Sequence, residues 1–253
     1  MLRNLFKEFP PIKRIIQERD YLRSIVSDAG GNYEVELAAS VAQGRHRESI
    51  GGLWEELGQL QFKFLVDHGL QPTHRLLDIG CGSLRGGLQF IPFLGQGNYW
   101  GIDNNAPLIQ AGWDIELAQA DLQSRQPRNQ LVCLKDFEFS SLSTTFDFVL
   151  AQSVFTHLNL NRIRRCLTHL SSVMKPGGKF FATFLEADLA QSFELPLQRQ
   201  SNGLVSYSCR DPFHYFFEDF QYIVSKLPWT VKYHGEWNHP GKTRMLIFEA
   251  TPE

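Results

Sequence analysis

One acidic residue and two glycines carry the clearest chemistry in this sequence. Asp78 lies near the end of a short apolar run, and Gly80, Cys81 and Gly82 follow it. An apolar run that breaks into glycines is typical of a buried strand entering a tight turn. Glycines at the carboxyl end of a strand let a bulky polar ligand approach the backbone, and the next helix offers free N–H groups. We therefore expect a ligand-binding corner at these residues.

The spacing of the glycines and the charge of Asp78 restrict the ligand. A dinucleotide site has the pattern G-x-G-x-x-G, whose third glycine comes three residues after the second. Arg85 holds that position here. The carboxylate of Asp78 would repel phosphate and favours a ligand with a cationic or hydrogen-bond-donating part. S-adenosylmethionine has that character, because it carries an ammonium and a sulfonium group.

Four further apolar segments predict strands that must position the polar residues around this corner. The first lies at residues 99–103. The others lie within residues 131–137, which include the turn after the strand, residues 146–158, which include the start of the next helix, and residues 174–183, which include the turn before the strand. In an open parallel sheet, ligands bind outside the carboxyl ends of the strands. Polar side chains that follow these strands would therefore face the same ligand.

The ordered set of strand ends resembles the class I S-adenosylmethionine-dependent methyltransferases. The match begins with the first motif of that family, at residues 78–82, and covers about residues 70–249. The resemblance implies an α/β fold with three layers and a Rossmann-like sheet of seven strands, mostly parallel with an antiparallel last strand. It also implies an enzyme that uses S-adenosyl-L-methionine as cofactor and releases S-adenosyl-L-homocysteine.

The same resemblance assigns roles to residues at the strand ends. Asp103 would accept hydrogen bonds from both ribose hydroxyls, Asp136 would accept the exocyclic amine of adenine, and Phe137 would cover the adenine ring. The full predicted cofactor set is Asp78, Gly80, Cys81, Gly82, Asp103, Asn104, Asp136, Phe137 and Gln152. Leu84 stands where the family often has a third glycine, so the contacts of Ser83 and Gly86 with the cofactor stay open.

The composition is that of one soluble enzyme domain with extensions. The 253 residues can bury one sizeable core, and the formal net charge of -2 gives no general attraction to nucleic acid or to an anionic membrane. Four scattered cysteines without a C-x-x-C pair are typical of reduced structural residues. No apolar run is long enough to cross a bilayer, and the amino terminus lacks the apolar stretch and cleavage site of a signal peptide. We expect a cytoplasmic enzyme that binds neither a metal nor nucleic acid.

The residues before the corner predict an N-terminal helical extension over residues 1–70, ahead of a methyltransferase domain over residues 71–253. Residues 12–26 have the spacing of a charged amphipathic helix, and helices are also predicted over residues 34–42 and 53–66. In many methyltransferases of small molecules, such helices cover the cofactor and form one wall of the acceptor pocket. The first helix could instead pair two copies of the chain in a homodimer or touch a membrane surface. An ordinary packed surface helix is the default expectation.

The region after the fifth strand predicts an insertion at about residues 186–210, followed by a helix over residues 212–227. Long insertions of this kind are often lids or binding loops. Two last strands, near residues 229–233 and 244–248, complete the predicted sheet. Their connection, residues 234–242, is expected to hang over an edge of the sheet close to the site.

The acceptor side of the site is predicted from position alone. Methyl transfer is an in-line displacement, so the enzyme mainly positions the acceptor and excludes water, with a general base where the acceptor carries a proton. His157 and His214 are the candidate bases, and Gln152 could orient the acceptor. The predicted acceptor-binding residues are Ser153, Glu186, Tyr207 and Tyr215. Each also has a structural alternative, such as a backbone hydrogen bond or a solvated loop.

Three classes of function remain open at this point. The first is methyl transfer to an oxygen or nitrogen of a small polar molecule, which the aromatic insertion and the leading helices favour. The second is methyl transfer to a larger acceptor, either a sugar hydroxyl of a glycan or a protein side chain. The third is a non-catalytic subunit that keeps the fold to bind a partner. An intact corner, with Asp78, Gly80, Gly82 and Asp103 all present, disfavours the third class.

Overall fold

The computed structural model describes residues 32–187, 197–198, 205–206 and 211–251. The predicted amphipathic helix over residues 12–26, Tyr207 and most of the insertion lie outside these residues. Within the described chain, no helix is both long and apolar enough to span a bilayer.

In the described part of the chain, three helices precede the sheet, and the first and third of them match the helices predicted over residues 34–42 and 53–66. They are α1 (Asn32–Ala42), α2 (His46–Ser49) and α3 (Trp54–Asp67). The buried residues of α3 recur at intervals of three and four, which places them on one face of the helix. Gly69 follows the helix with a positive φ of 101°, a conformation common just after a helix end.

The main sheet has the strands that the sequence predicts and one more. The first five are β1 (Leu76–Ile79), β2 (Tyr99–Asp103), β3 (Leu131–Cys133), β4 (Phe146–Ala151) and β5 (Met174–Glu186). A short pair, β6 (Leu197–Gln198) and β7 (Val205–Ser206), forms a separate sheet. The last three strands are β8 (His214–Tyr215), β9 (Trp229–Gly235) and β10 (Arg244–Ala250).

The strand order is β3-β2-β1-β4-β5-β10-β9, with β8 added beside β5. All neighbours pair in parallel except β10, which is antiparallel to both β5 and β9. From β1, the chain first adds β2 and β3 on one side and then β4 and β5 on the other side. Ligands bind in open α/β sheets at the point where the strand order reverses in this way. The predicted antiparallel last strand is therefore confirmed, and the sheet has eight strands.

Helices cover both faces of the sheet. They are α4 (Gly87–Phe93), α5 (Ala106–Ala111) with its continuation as a π-helix (Gly112–Leu117), α6 (Leu160–Ser171) and α7 (Phe217–Val224). Short 3₁₀ turns comprise Arg128–Gln130, Phe139–Leu142 and Phe155–His157.

Alternating strand residues build two separate cores. On β5, Phe180 belongs to the core that includes α6 and α7, whereas Phe181 belongs to the core that includes α3 and α4. Because side chains alternate across a strand, each run of apolar residues supplies both faces. Leu65 of α3 is fully buried in the second core. The leading helix α3 is thus part of the three-layer core.

The helix predicted over residues 212–227 is shorter than expected. His214 and Tyr215 pair with Leu185 and Glu186 as strand β8, and the helix spans only Phe217–Val224. The carboxylate of Asp219 accepts a hydrogen bond from the Phe216 N–H at 2.8 Å, which caps the helix at this point. The sequence prediction was wrong for residues 212–216, because the strand pairing depends on a partner far away in the chain.

Candidate functional site

The turn after β1 adopts the backbone that only glycine accommodates easily. Gly80 and Gly82 have φ of 73° and 55°, in the left-handed region. The N–H groups of Gly80 and Cys81 donate to Ile102 O at 2.8 and 3.0 Å. The Gly82 N–H donates to Asp103 Oδ2 at 2.9 Å. The ends of β1 and β2 are therefore joined into one rigid corner.

Leu84 occupies the position at which the family often has a third glycine. It has φ of 71°, so the left-handed turn is kept although a side chain is present. Such a residue costs about 1–2 kcal/mol. The leucine side chain is fully buried beside Gly112, where a Cβ would lie only 2.8 Å from Leu84 Cγ. The glycine in the π-helix therefore makes room for the leucine in the turn.

Asp103, which is predicted to bind ribose, lies at the end of β2 beside the glycine turn. Its Oδ1 accepts the Asn105 N–H at 2.9 Å, and its Oδ2 accepts the Gly82 N–H at 2.9 Å. Burial raises the pKa of Asp103, although the hydrogen bonds from the backbone N–H groups of residues 105, 82 and 104 oppose this. Asn104 beside it is exposed.

Asp78 and Cys81 are buried at the centre of the corner. Asp78 Oδ2 accepts the hydroxyl of Tyr99 at 2.8 Å. Burial raises the pKa of Asp78 to about 7, although the Tyr99 hydrogen bond and the charge of Arg85 lower it. Burial and the carboxylates of Asp103 and Asp78 raise the pKa of Cys81, which keeps its thiol neutral. A neutral, buried thiol packs in the turn, so the contribution of Cys81 to a ligand would come from its backbone.

Gln152, just after β4, is the centre of a polar cluster that we call the Gln152 cluster. Its members are Gln61, Arg85, Gln152, Ser153 and His239. Gln152 Oε1 accepts from Arg85 Nη2 at 2.7 Å and from Gln61 Nε2 at 3.0 Å. Gln152 Nε2 donates to Ser153 Oγ at 2.6 Å and lies 3.3 Å from His239 Nε2. Four separate segments of the chain thus converge beside the glycine corner.

Ser153 is held by the neighbouring strand. Its φ is 59°, and its N–H donates to the buried Thr183 Oγ1 on β5 at 2.7 Å. A left-handed residue other than glycine is often found at a functional site, where the surrounding structure compensates for its strain. The cluster is therefore positioned between the ends of β4 and β5.

Arg85 connects the Gln152 cluster to the leading helices. Its Nη1 donates to Ile50 O at 3.1 Å and to Gly52 O at 2.9 Å, in residues 50–52, which we call the covering loop. Ile50 Cγ2 lies 3.1 Å from the position that a Cβ would take at Gly82. The covering loop, between α2 and α3, therefore lies against the glycine corner.

Sequence reasoning identified Gln152 and Ser153 but missed three members of the cluster. Gln61 lies on α3, Arg85 lies in the turn just before α4, and His239 lies between β9 and β10. The prediction that residues 234–242 come close to the site contained the only signal for His239. The signal for Arg85 was its position, because it stands where a dinucleotide site has its third glycine.

The predicted adenine-binding residues make other contacts in this structure. The carboxylate of Asp136 accepts from Arg165 Nε at 3.0 Å and from Arg165 Nη2 at 2.8 Å. The guanidinium of Arg162 lies 5.8 Å from the ring centre of Phe137, which also packs on the core. Asp136 would have to exchange the Arg165 contact to bind an adenine amine, so its assigned role stays a prediction.

Both candidate bases contact residues at the end of the insertion. His157 is exposed, and its Nδ1 pairs with the carboxylate of Asp211. His214 Nδ1 contacts Ser206 Oγ. Their roles as bases stay predictions, and neither histidine has a described hydrogen bond to Gln152.

Tyr215 and Glu186, predicted to bind the acceptor, have structural partners. Tyr215 is buried in the core and its hydroxyl donates to Leu158 O, so we assign it a packing role in place of acceptor binding. Glu186 Oε2 accepts from Tyr233 at 3.0 Å and from Arg244 Nε at 2.9 Å. Its carboxylate charge is therefore balanced at the edge of the sheet.

A buried ion cluster fastens the leading helices to the domain. Glu116 in the π-helix accepts from His46 Nε2 at 2.6 Å and from Arg47 Nε and Nη2 at 2.7 Å each. Burial raises the pKa of Glu116, but the hydrogen bonds from Arg47 and His46 outweigh it and leave the pKa lowered. Glu116 lies only four residues from Gly112, which contacts the turn after β1 at Leu84.

Replacement of Glu116 by glutamine is expected to lower the melting temperature by about 3–8 °C at neutral pH, since charged hydrogen bonds are lost. A carboxylate whose pKa is lowered in the folded state stabilises the protein at pH values above its unfolded-state pKa. It loses this effect as the pH falls through the folded-state pKa. The difference between wild type and Glu116→Gln should therefore shrink as the pH falls below the unfolded-state pKa of about 4.3 and vanish below the lowered folded-state pKa. Thermal unfolding between pH 3 and pH 7 measures it, with the exposed Glu48→Gln as control. A difference that is independent of pH would contradict the assignment.

The comparisons with known proteins agree with this geometry. Residues 77–180 match a family model described as a methyltransferase domain. A magnesium protoporphyrin IX methyltransferase from Synechocystis PCC 6803, crystallised with bound S-adenosylmethionine, has a TM-score of 0.54 at 14% identity, over 77% of this chain and 81% of that chain. An O-methyltransferase family protein from Burkholderia thailandensis has a TM-score of 0.60 at 14% identity, over 92% of this chain and 70% of that chain. An S-adenosylmethionine-dependent methyltransferase from Clostridium acetobutylicum has a TM-score of 0.59 at 12% identity, over 83% of this chain and 98% of that chain.

The donor set at the corner fits S-adenosylmethionine. Asp103 could offer a carboxylate to ribose hydroxyls and Asp78 could offer one to an ammonium group, as predicted from the sequence, and the exposed Gly80 leaves its backbone accessible. Two buried polar atoms, Ser83 Oγ and Arg85 Nε, have no hydrogen-bond partner among the described residues. Buried polar groups normally have partners, so these atoms are ones that a bound ligand could satisfy. Residues 77–180 therefore carry a methyltransferase domain, and the chain has the fold of S-adenosylmethionine-dependent methyltransferases.

Proposed function

We propose that the enzyme transfers a methyl group to an oxygen or nitrogen of a small polar molecule, bound at the Gln152 cluster. The observation that carries this proposal is the convergence of Gln61, Arg85, Gln152 and His239 beside the glycine corner. When bound, S-adenosylmethionine supplies an activated methyl group. The residues of the chain orient the acceptor towards it and exclude water.

The covering loop supports a small acceptor over a large one. Arg85 holds both Ile50 O and Gly52 O, so the loop lies over the corner as a wall fixed by hydrogen bonds. A wall of this kind encloses the reacting groups and strengthens the polar contacts inside. A protein or glycan acceptor would need an open approach to the end of β4.

The cellular setting belongs to the same proposal. The three described cysteines, Cys81, Cys133 and Cys166, are free, as expected for a reducing compartment. The near-neutral charge gives no general attraction to nucleic acid. These features support our proposal of a cytoplasmic enzyme with a small-molecule acceptor and no nucleic-acid partner. Pairing in a homodimer stays a prediction.

A labelling experiment tests the function. The protein is incubated with S-adenosylmethionine carrying a deuterated methyl group and with a small-molecule extract, and the products are identified by mass spectrometry. We expect at least one small polar product with the label. Label found only in protein or in glycan would contradict a small acceptor, and no label in any fraction would favour a non-catalytic subunit.

The Gln152→Ala variant is expected to reduce turnover about 10–100-fold, because acceptor orientation is lost. Its affinity for S-adenosylhomocysteine should stay within about threefold, since the side chain is assigned to the acceptor. His157→Ala, His214→Ala and Tyr207→Ala test the other predicted acceptor residues in the same assay. Full activity of Gln152→Ala would contradict the placement of the acceptor.

A further inference from the structure

The ring of His239 has two N–H groups directed at it. Gly241 N–H donates to His239 Nδ1 at 3.0 Å, and Gln152 Nε2 lies 3.3 Å from His239 Nε2. The ring stacks on the buried Trp237, with centroids 5.2 Å apart and an interplanar angle of 21°. Trp237 is itself held by a hydrogen bond from Nε1 to Thr243 O at 3.1 Å. The orientation of the imidazole is therefore fixed.

A neutral imidazole can accept only one of these two hydrogen bonds. One ring nitrogen has a lone pair and the other carries a proton. The Gly241 contact is shorter and comes from the backbone of the same loop, so Nδ1 is the acceptor. The proton then lies on Nε2, which faces the Gln152 amide.

The orientation of the Gln152 amide is fixed as well. Its oxygen accepts from Arg85 Nη2 and from Gln61 Nε2, both of which can only donate. Its nitrogen therefore faces Ser153 and His239. One of its two N–H bonds is used by Ser153 Oγ. The second N–H of Gln152 and the N–H of His239 Nε2 lie side by side, and neither can accept from the other.

The charge around these two donors is positive. The buried guanidinium of Arg85 lies beside Gln152, and burial together with that charge lowers the pKa of His239 to about 4. Asp78 also lies near Arg85, but burial raises the pKa of Asp78 to about 7, so its carboxyl offsets the charge of Arg85 only in part. A neutral histidine whose Nε2 carries the proton donates a hydrogen bond and takes up no proton from an acceptor there.

We propose that the methyl acceptor atom is an oxygen that is already anionic at neutral pH, and that His239 Nε2–H and Gln152 Nε2–H both donate to it. This inference rests on the function proposed above and narrows its acceptor class. Carboxylates and acidic phenols share this chemistry. Two N–H donors next to a guanidinium stabilise an anionic oxygen, and an amine would present further hydrogens to them.

The reaction balances without a general base. The bond between the methyl carbon and the sulfonium sulfur breaks, and its electron pair stays on sulfur. A new bond forms between the methyl carbon and the acceptor oxygen. The negative charge of the acceptor and the positive charge of the sulfonium are both lost, and no proton is released.

Nuclear magnetic resonance of protein labelled with ¹⁵N histidine and glutamine tests the two donors directly. The His239→Gln variant assigns the histidine signal. We expect a neutral ring protonated on Nε2 between pH 6 and pH 8. A ring protonated on Nδ1 would overturn the proposal, because Nε2 would then accept from Gln152.

The complex with S-adenosylhomocysteine is then titrated with formate and with formamide, which differ in charge but little in size. We expect formate to shift the signals of His239 and Gln152 in a saturable way, at least tenfold more tightly than formamide. Sodium chloride at equal ionic strength is the control. Equal binding of the two probes, or no effect of formate, would overturn the proposal. If S-adenosylhomocysteine alone shifts both signals and prevents the formate effect, the donors hold the cofactor carboxylate and the proposal also fails.

The labelled products separate this inference from the proposed function. Methyl esters, which mild alkali cleaves, or phenolic methyl ethers, which resist it, would support an anionic oxygen and distinguish its two sources. Labelled methylamines or sugar ethers would overturn the inference, while a small N-methylated product would leave the proposed function standing.

The His239→Leu variant should lose about 10–100-fold in turnover. The His239→Gln variant, which keeps an N–H donor, should recover most of this turnover.

Discussion

The Gly80→Val variant is expected to bind S-adenosylhomocysteine at least about tenfold more weakly than wild type, a loss of about 1.4 kcal/mol or more. Gly80 has φ of 73°, and a Cβ there would lie 2.6 Å from Val154 Cγ2. A branched side chain is strained in this conformation and would push the turn away from the end of β4. Calorimetry with S-adenosylhomocysteine measures the change in affinity.

Gly177 provides a matched control for Gly80. It has the same φ of 73°, but a Cβ there would meet no atom within 4 Å. Gly177→Val should therefore lower the melting temperature through backbone strain and leave the affinity for S-adenosylhomocysteine unchanged. If both variants lose affinity equally, or if Gly80→Val keeps full affinity, the assignment of the turn to the cofactor is wrong.

The Asp103→Ala variant is expected to lose about 10–150-fold in affinity for S-adenosylhomocysteine. Charge-assisted hydrogen bonds to the ribose hydroxyls would contribute roughly 1.5–3 kcal/mol. The same carboxylate holds Gly82 N–H and Asn105 N–H, so its removal also loosens the turn. Asp103→Asn, which keeps one acceptor oxygen, should bind with intermediate affinity.

Asp147 is the control for Asp103. Its carboxylate also accepts a backbone N–H, from Arg75 at 2.8 Å, and it pairs with Lys175, but it lies near the amino end of β4. Asp147→Ala should reduce thermal stability while the affinity for S-adenosylhomocysteine stays unchanged. Tighter binding of NAD than of S-adenosylhomocysteine to the wild-type protein would contradict the assignment of the corner.

The strand ends were predictable because each depends on residues that are close in sequence. The apolar run that stops at a glycine or an acid predicts β1 and β2 to within a residue of their observed bounds. Burial on both faces requires the continuous apolar runs seen in β4 and β5. By contrast, β8 has two residues and is stabilised by a partner strand that the local pattern does not reveal.

The polar cluster was only partly predictable for the same reason. Gln152 follows a strand, so its place at the edge of the sheet was clear from the sequence. Gln61 and His239 come from a leading helix and from an edge loop, and their meeting depends on how α3 and β10 pack. Asp136 shows the opposite case, because its position was predicted but its partner, Arg165, was not.

The bonds from Arg85 to Ile50 and Gly52 have a consequence for the order of events in a catalytic cycle. The covering loop lies against Gly82, so we expect exchange of a cofactor bound at the glycine corner to require movement of this loop. The same guanidinium holds the Gln152 oxygen, and movement of the loop therefore disturbs the acceptor side as well. Kinetically, the cofactor should enter first and leave last, and release of S-adenosylhomocysteine should limit the steady-state rate.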